Sequence, residues 1–236
     1  MAKVFVFLEG NGQELKKGSM ELLTAAKASG REVLAGLVGP GTKSLAGKAA
    51  QYGAKTTFVC DAADLGHYNP ETFAEAVTGM VKESGADVVL ASSSVMARDL
   101  FPRVAARLDS GVASDCTILK LDGTGVSVRK PLYSGKCTAE VEFVNSPVKF
   151  VLMRPNQLPV GAPDASAAAN VKDFPAPALS GKIKTKEMIK GSSSKADLTE
   201  ANIIVSGGRG MGSGENFKVL EDLANTLGAT VGASRA

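Results

Sequence analysis

Tryptophan is absent from this chain of 236 residues, aromatic residues make up only 5% of it, and there is a single histidine. That histidine, His67, stands in a turn-like stretch beside Tyr68 and Asn69 with no Cys or His at ligand spacing. Neither a metal centre nor a histidine base is indicated, and His67 reads as a surface turn residue. The three cysteines, Cys60, Cys116 and Cys137, are scattered, which excludes a disulfide framework and a CxxC centre. Cys60 lies in an apolar run and reads as core packing. No apolar run approaches the roughly 18 residues that a membrane span needs, so no membrane insertion is expected. The start, Met1-Ala-Lys-Val-Phe-Val-Phe-Leu, enters a strand-like run at once and lacks the layout of a signal peptide. A net charge of +3 gives no footprint for nucleic acid. Together these absences point to a cytoplasmic protein. What is present, 44% hydrophobic residues at this length, supports a sizeable core in one large domain, or one domain and part of another.

The first half alternates strand and helix patterns. Lys3–Leu8, Glu32–Val38, Thr56–Cys60 and Ala86–Ser92 are short continuous apolar runs of the kind that parallel strands buried on both faces require. The clearest helix opens at Asn69-Pro70-Glu71, with Asn as cap, Pro at the first helical position and an acid in the first turn. Its apolar face is Phe73, Val77, Met80 and Val81, and Gly85 is its stop. This alternation predicts a doubly wound α/β domain with a mostly parallel sheet. After Leu108 the style changes. Cys116–Leu121, Val126–Pro131, Thr138–Phe143 and Val148–Met153 read as strands, with hairpin turns at Asp122-Gly123-Thr124-Gly125 and Asn145-Ser146-Pro147, an antiparallel addition to the same domain. From about 155 the chain becomes Pro-, Ala- and Ser-rich, a surface-wrapping composition that ends in Gly191-Ser-Ser-Ser194. Regular α/β pattern then resumes: a strand at Ala201–Ser206, a glycine-rich loop at Gly207–Gly214, a helix at Glu215–Leu227 with Phe217, Leu220, Leu223 and Leu227 inward, a stop at Gly228, and a strand at Ala229–Gly232. The domain boundaries read from this are 1–190 for the N-terminal α/β domain with its wrapping segment and 191–236 for a linker and the opening of a second α/β domain.

The loop GGRGMGSG carries the strongest chemical signal. Glycines between a strand and a helix let backbone approach an anionic ligand, and the first N–H groups of the helix then point at it. The spacing is not that of the dinucleotide fingerprint, because the third glycine position falls on Ser213 or Glu215, and no Gly-Lys-Ser/Thr closes a Walker loop. A tight turn without a ligand accounts for the glycines equally well. Arg209 tips the reading toward a ligand, since it places a planar, permanently charged donor fork inside the loop. Ser92-Ser93-Ser94 follows a strand and reads as the cap of the next helix in preference to a nucleotide site. The pattern RDLFPRVAARL carries Arg98, Arg103 and Arg107 on a helix interrupted by Pro102, either as a solvated face or as an interface.

These residues also carry a family likeness. ANIIVSGGRGMGSGENFKVLEDLANTLGATVGASRA closely resembles the start of the flavin domain of electron-transfer flavoprotein α subunits, and MARDLFPRVAARL, GVASDC, RKPLYSGKCTAEV and VLMRPN are similar, in order, to the N-terminal domain of that family. Met96-Ala97 departs from the glycine that many relatives carry there. The resemblance implies an electron carrier, not an enzyme, that holds FAD and forms a heterodimer with a β subunit. It would pass electrons from flavin-dependent dehydrogenases to a downstream acceptor. It assigns FAD contacts to Arg209, Ser234 and Arg235, with Arg235 near the isoalloxazine. The family continues beyond the GASRA segment into further FAD ligands, so 191–236 is expected to hold the opening of the flavin site. A nucleotide-binding or regulatory α/β module without redox activity is the alternative. A nicotinamide-dependent dehydrogenase is disfavoured, because no dinucleotide spacing and no His or Lys near a strand end is present.

Overall fold

The computed structural model describes residues 2–178, 183, 185–187, 198 and 201–234, and the chain divides into two compact units, Met1–Glu187 and Met188–Ala236. In the first, β1 (Lys3–Phe7), α1 (Lys17–Ala28), β2 (Glu32–Val38), α2 (Ala46–Gln51), β3 (Thr56–Cys60), α3 (Pro70–Ser84), β4 (Val88–Ser92) and α4 (Val95–Arg107) follow in strict alternation. Next come β5 (Val112–Cys116), β6 (Ile118–Asp122), β7 (Gly125–Leu132), β8 (Cys137–Glu142), β9 (Lys149–Met153) and β10 (Val171–Asp173).

Seven of these strands form one sheet in the order β10-β3-β2-β1-β4-β9-β5, with every pairing parallel. Because side chains alternate across a strand, β1 sends Val4 and Val6 into a core with α1 and α2. Phe5 and Phe7 enter a second core with α3 and α4. Covering both faces is why these strands are apolar throughout and show no alternation of polarity. The second core holds the aromatic packing: Phe7 and Phe101 meet edge to face at 5.4 Å, and Phe101 lies 6.1 Å from Phe150. Helix α3 begins as its sequence dictates. The Asn69 carboxamide oxygen accepts the N–H groups of Glu71 and Thr72, Pro70 follows, and Gly85 ends the helix at φ +63°. Helix α4 begins three residues before the predicted Arg98. It runs unbroken through Pro102, whose ring lies on the exposed side of the helix.

The segment after Leu108 differs from expectation in two ways. Val112–Cys116 forms an edge strand of the main sheet, separate from β6. The strand Lys149–Met153 is not antiparallel: it inserts between β4 and β5, parallel to both. Asn145-Ser146-Pro147 is therefore not a hairpin turn but part of the return to the main sheet, with Ser146 Oγ accepting the Gly111 N–H at 3.0 Å. The reason is burial. Phe150, Val151 and Leu152 are all buried, and only a central position with helices on both faces can bury consecutive residues. The antiparallel addition is the three-stranded sheet β6-β7-β8. Its alternating residues Leu119, Leu121, Val126, Val128 and Val141 pack on the α1–α2 core. Arg31, whose side chain is almost fully buried, donates to the Gly125 carbonyl at 2.7 Å at the turn of this sheet.

The Pro- and Ala-rich stretch wraps the first unit. Buried Glu21 accepts the backbone N–H groups of Asn156 and Leu158, and Gly161 donates to Thr24. β10 then extends the sheet beyond β3, and Phe174 lays its ring on Gly79 of α3.

The second unit contains β11 (Ile204–Gly207), α5 (Lys218–Leu227) and β12 (Thr230–Ala233), the two strands pairing in parallel. The predicted helix start at Glu215 is a separate 3-10 turn, Gly214–Phe217. Of the inward positions expected, Phe217 and Leu220 are half-buried, whereas Leu223 and Leu227 remain about half exposed. A helix facing only two strands covers a narrow stripe, and here the fully buried member of that stripe is Ala224.

Candidate flavin site and the two strand edges

The glycine loop joins the carboxyl end of β11 to α5, the place where open α/β sheets take ligands. Two of its glycines have a steric reason. A β-carbon at Gly207 would meet Leu220 at 2.6 Å and Met211 at 2.9 Å, so close packing of helix on strand needs glycine there. Gly212 has φ +72°, a left-handed turn that an L side chain resists. Between them Arg209–Met211 forms a 3-10 turn held by Met211 N–H to the Gly208 carbonyl at 2.9 Å. The Asn216 amide clamps the loop by donating to the Met211 carbonyl at 2.6 Å. Asn216 did not stand out in the sequence, and only its position one turn past the loop could have signalled it.

Ser234, directly after β12, donates its N–H to the Gly207 carbonyl at 3.2 Å, and its hydroxyl lies 3.0 Å from where a β-carbon of Gly208 would sit. The chain thus brings Ser234 and the glycine loop together at the carboxyl ends of adjacent strands. Arg209 is exposed and makes no ion pair among the described residues. Arg235 lies outside the described residues. An exposed guanidinium and a hydroxyl at the carboxyl ends of adjacent strands form a donor set that fits the pyrophosphate and ring carbonyls of a flavin nucleotide.

The equivalent edge of the first unit is arranged differently. The order of its sheet reverses between β1 and β4, and at that point Glu9 is buried. The Glu9 carboxylate accepts the Ser94 hydroxyl at 2.5 Å and the Lys16 ammonium at 3.3 Å. Ser94 Oγ meanwhile accepts the Ala97 N–H, capping α4 as its sequence predicts. Directly after β3, Asp61 accepts the N–H groups of Gly41 at 2.9 Å and Lys43 at 3.3 Å. Glu9 and Asp61 escaped the sequence reading, because an acid one residue past an apolar strand resembles any solvated loop residue.

The remaining residues singled out have structural partners. Arg103 pairs with Asp99 at 3.0 Å, Arg98 donates to the Ser94 carbonyl, and Arg107 to the Arg103 carbonyl. The Tyr68 phenol donates to Asp99 at 2.6 Å. Burial and that bond raise the Tyr68 pKa, while the same bond, with Arg103 second, lowers that of Asp99. Burial pushes the Cys116 thiol up to about 11 and raises Cys60, so neither is poised as a nucleophile. His67 is exposed. Among the described residues there is no cluster of His, Cys, Asp and Glu that would hold a metal, and no helix is long and apolar enough to cross a membrane.

Family comparisons agree with this geometry. The electron transfer flavoprotein domain matches residues 4–179, and the electron transfer flavoprotein FAD-binding domain matches residues 197–236. The chain is 32% identical over 235 residues to the electron transfer flavoprotein subunit alpha of Bacillus subtilis, covering 99% of this chain and 72% of the relative. It is 35% identical over 238 residues to that of Syntrophomonas wolfei, covering 100% and 74%. To that of Pseudomonas aeruginosa it is 33% identical over 234 residues, covering 99% and 74%. These names carry the electron-transfer reading and give none to a nucleotide module without redox activity. The chain belongs to the electron transfer flavoprotein family, as a member of its α subunits.

Proposed function

We propose that this chain is an electron carrier, not a catalyst of a substrate reaction, and that it works as a heterodimer with a β subunit. It receives electrons from flavin-dependent dehydrogenases and delivers them to a downstream acceptor in the cytoplasm. FAD, the cofactor of the matched domain, supplies the reversible electron chemistry when bound. The chain's own part is to hold and tune it. Arg209 reaches the anionic or carbonyl oxygens of the cofactor from the glycine loop, and Ser234 offers its hydroxyl from the neighbouring strand end. Arg235, one residue on, sets a cation beside the ring, where it favours negative charge on the reduced form. In unit terms, Met188–Ala236 carries the flavin contacts and Met1–Glu187 provides the scaffold that a β subunit meets. The observation that carries this reading is the juxtaposition of Ser234 with Gly208, in the loop of an Arg209 that makes no ion pair among the described residues, inside the segment matched by the FAD-binding domain.

The test is co-expression with a β subunit and a visible spectrum of the purified complex. Oxidised-flavin bands that bleach on addition of a reduced dehydrogenase are expected. A stable complex without flavin, or a chain that is monomeric and indifferent to β subunit, sinks the proposal.

A further inference from the structure

The loop between β11 and α5 contains little that holds a backbone still. Glycine stands at Gly207, Gly208, Gly210, Gly212 and Gly214, and each widens the range of shapes open to the chain. Arg209 lies between two of them and is exposed. A β-carbon at Gly210 would meet nothing within 4 Å, so nothing packs there on the apex beside Arg209. Hydrogen bonds hold the turn Arg209–Met211 instead. Met211 N–H donates to the Gly208 carbonyl at 2.9 Å, and Gly212 N–H to the Arg209 carbonyl at 3.1 Å. Both bonds close the turn on itself. By themselves they leave it able to swing about the glycines on either side.

Asn216 ties this turn to something fixed. Its Nδ2 donates to the Met211 carbonyl at 2.6 Å, the one side-chain hydrogen bond made to 209–212 among the described residues. Asn216 belongs to the 3-10 turn Gly214–Phe217, which runs directly into α5. That turn is anchored, because its Phe217 ring lies 3.1 Å, and Leu220 of α5 2.6 Å, from where a β-carbon of Gly207 would sit on β11. Met211 also reaches back to the strand with its side chain, 2.9 Å from the same point. A methionine side chain is flexible and fixes direction poorly. The direction of the turn, and of the Arg209 backbone two residues earlier, therefore falls to the Asn216 bond.

We infer that Asn216 is a positioning residue of the flavin site, which acts on the cofactor through Arg209 by holding the backbone beneath its guanidinium. The inference rests on the proposed contact of Arg209 with FAD. An arginine side chain loses much freedom when it is held against a ligand, and a loose glycine loop would add backbone freedom to that loss. A backbone fixed beforehand removes this second part, so the same guanidinium contact yields tighter binding.

A double-mutant cycle with Arg209→Ala tests it, read as FAD affinity by fluorescence titration of the complex with a β subunit. Asn216→Ala should weaken FAD by roughly three- to tenfold, the range of one neutral hydrogen bond. With Arg209→Ala already present, the same change should cost less than about twofold, because the group it acts through is gone. Asn216 is exposed, so its truncation leaves the packing of α5 on β11 in place. If Asn216→Ala does not fold, Asn216→Leu, which keeps the shape of the side chain without the donor, carries the same comparison. A direct contact of Asn216 with FAD, or a general loosening of the second unit, would weaken FAD by the same factor in both backgrounds, and that result overturns the inference. Unaltered affinity in Asn216→Ala, where Arg209→Ala loses affinity, also overturns it and leaves the Arg209 contact standing. Unaltered affinity in Arg209→Ala removes that contact and the inference together.

Discussion

The two units solve the same problem, how to finish the carboxyl edge of a parallel sheet, in opposite ways. In Met1–Glu187 the strand ends and helix starts are closed by the chain's own carboxylates, Glu9 and Asp61. In Met188–Ala236 the corresponding loop holds glycines, a hydroxyl and an arginine with no ion pair among the described residues. The interiors differ as sharply. The first unit buries two apolar cores on either side of seven strands, whereas Ala224 is the one fully buried apolar side chain among the described residues of the second. A scaffold needs its cores and satisfied edges, and a ligand site needs donors left unspent. The price of such openness is lower local stability.

The largest effect that would sharpen this contrast is in the first core. Phe101→Ala removes a ring packed on Phe7 and Phe150 and should cost about 3–5 kcal/mol. Urea unfolding of the first unit, followed by exchange at β1 and β4, measures it. A loss near 1 kcal/mol would mean that this core is far less tightly packed than its contacts imply.

A smaller effect is expected in the open loop, and on binding more than on folding. Arg209→Ala should weaken FAD by roughly ten- to a hundredfold, the range of a hydrogen bond from a charged group. It should leave the unfolding of the first unit unchanged. Fluorescence titration of flavin into the β-subunit complex reads the first, and unfolding curves the second. Unaltered flavin affinity would remove Arg209 from the site.

The smallest effect concerns an exposed pair. Arg154 forks onto Asp115, with Nε to Oδ1 at 2.9 Å and Nη2 to Oδ2 at 2.7 Å, and holds that carboxyl below the usual carboxylate range. A depressed folded-state pKa adds stability that is fully present above the unfolded value of about 3.9 and is lost as pH falls through the lowered folded value. Both side chains are over two-fifths exposed, so the contribution should stay below about 1 kcal/mol. In Arg154→Ala the Asp115 titration, followed by carbon-detected NMR, should move up toward 3.9. An unmoved titration would show that Arg154 is not its cause.

Local chemistry was legible where it acts over a few residues. Asn69-Pro70-Glu71 started α3 and Gly85 ended it, because caps and left-handed stops depend on neighbours in the chain. Strands β2 and β3 fell on their apolar runs, since burial on both faces leaves no other pattern. The glycine loop also declared itself, since glycine is the residue that close approach and positive φ demand.

Partners distant in sequence were not legible. Lys149–Met153 has the same apolar pattern whether it turns back as a hairpin or inserts beside β4, and the competition for a central, doubly covered position decided between them. Leu223 and Leu227 continue a helical stripe in sequence, yet which part of that stripe is covered depends on how wide a sheet faces it. Glu9 and Ser94 are 85 residues apart, and only the winding of β1 beside β4 brings them to hydrogen-bonding distance. Sequence alone determined the elements with strong local signals, such as β2, β3 and α3, and the family likeness, because both reside in contiguous residues. Which strand ends were closed and which stayed open was decided by tertiary structure, since a charge is satisfied by whatever lies near it in space.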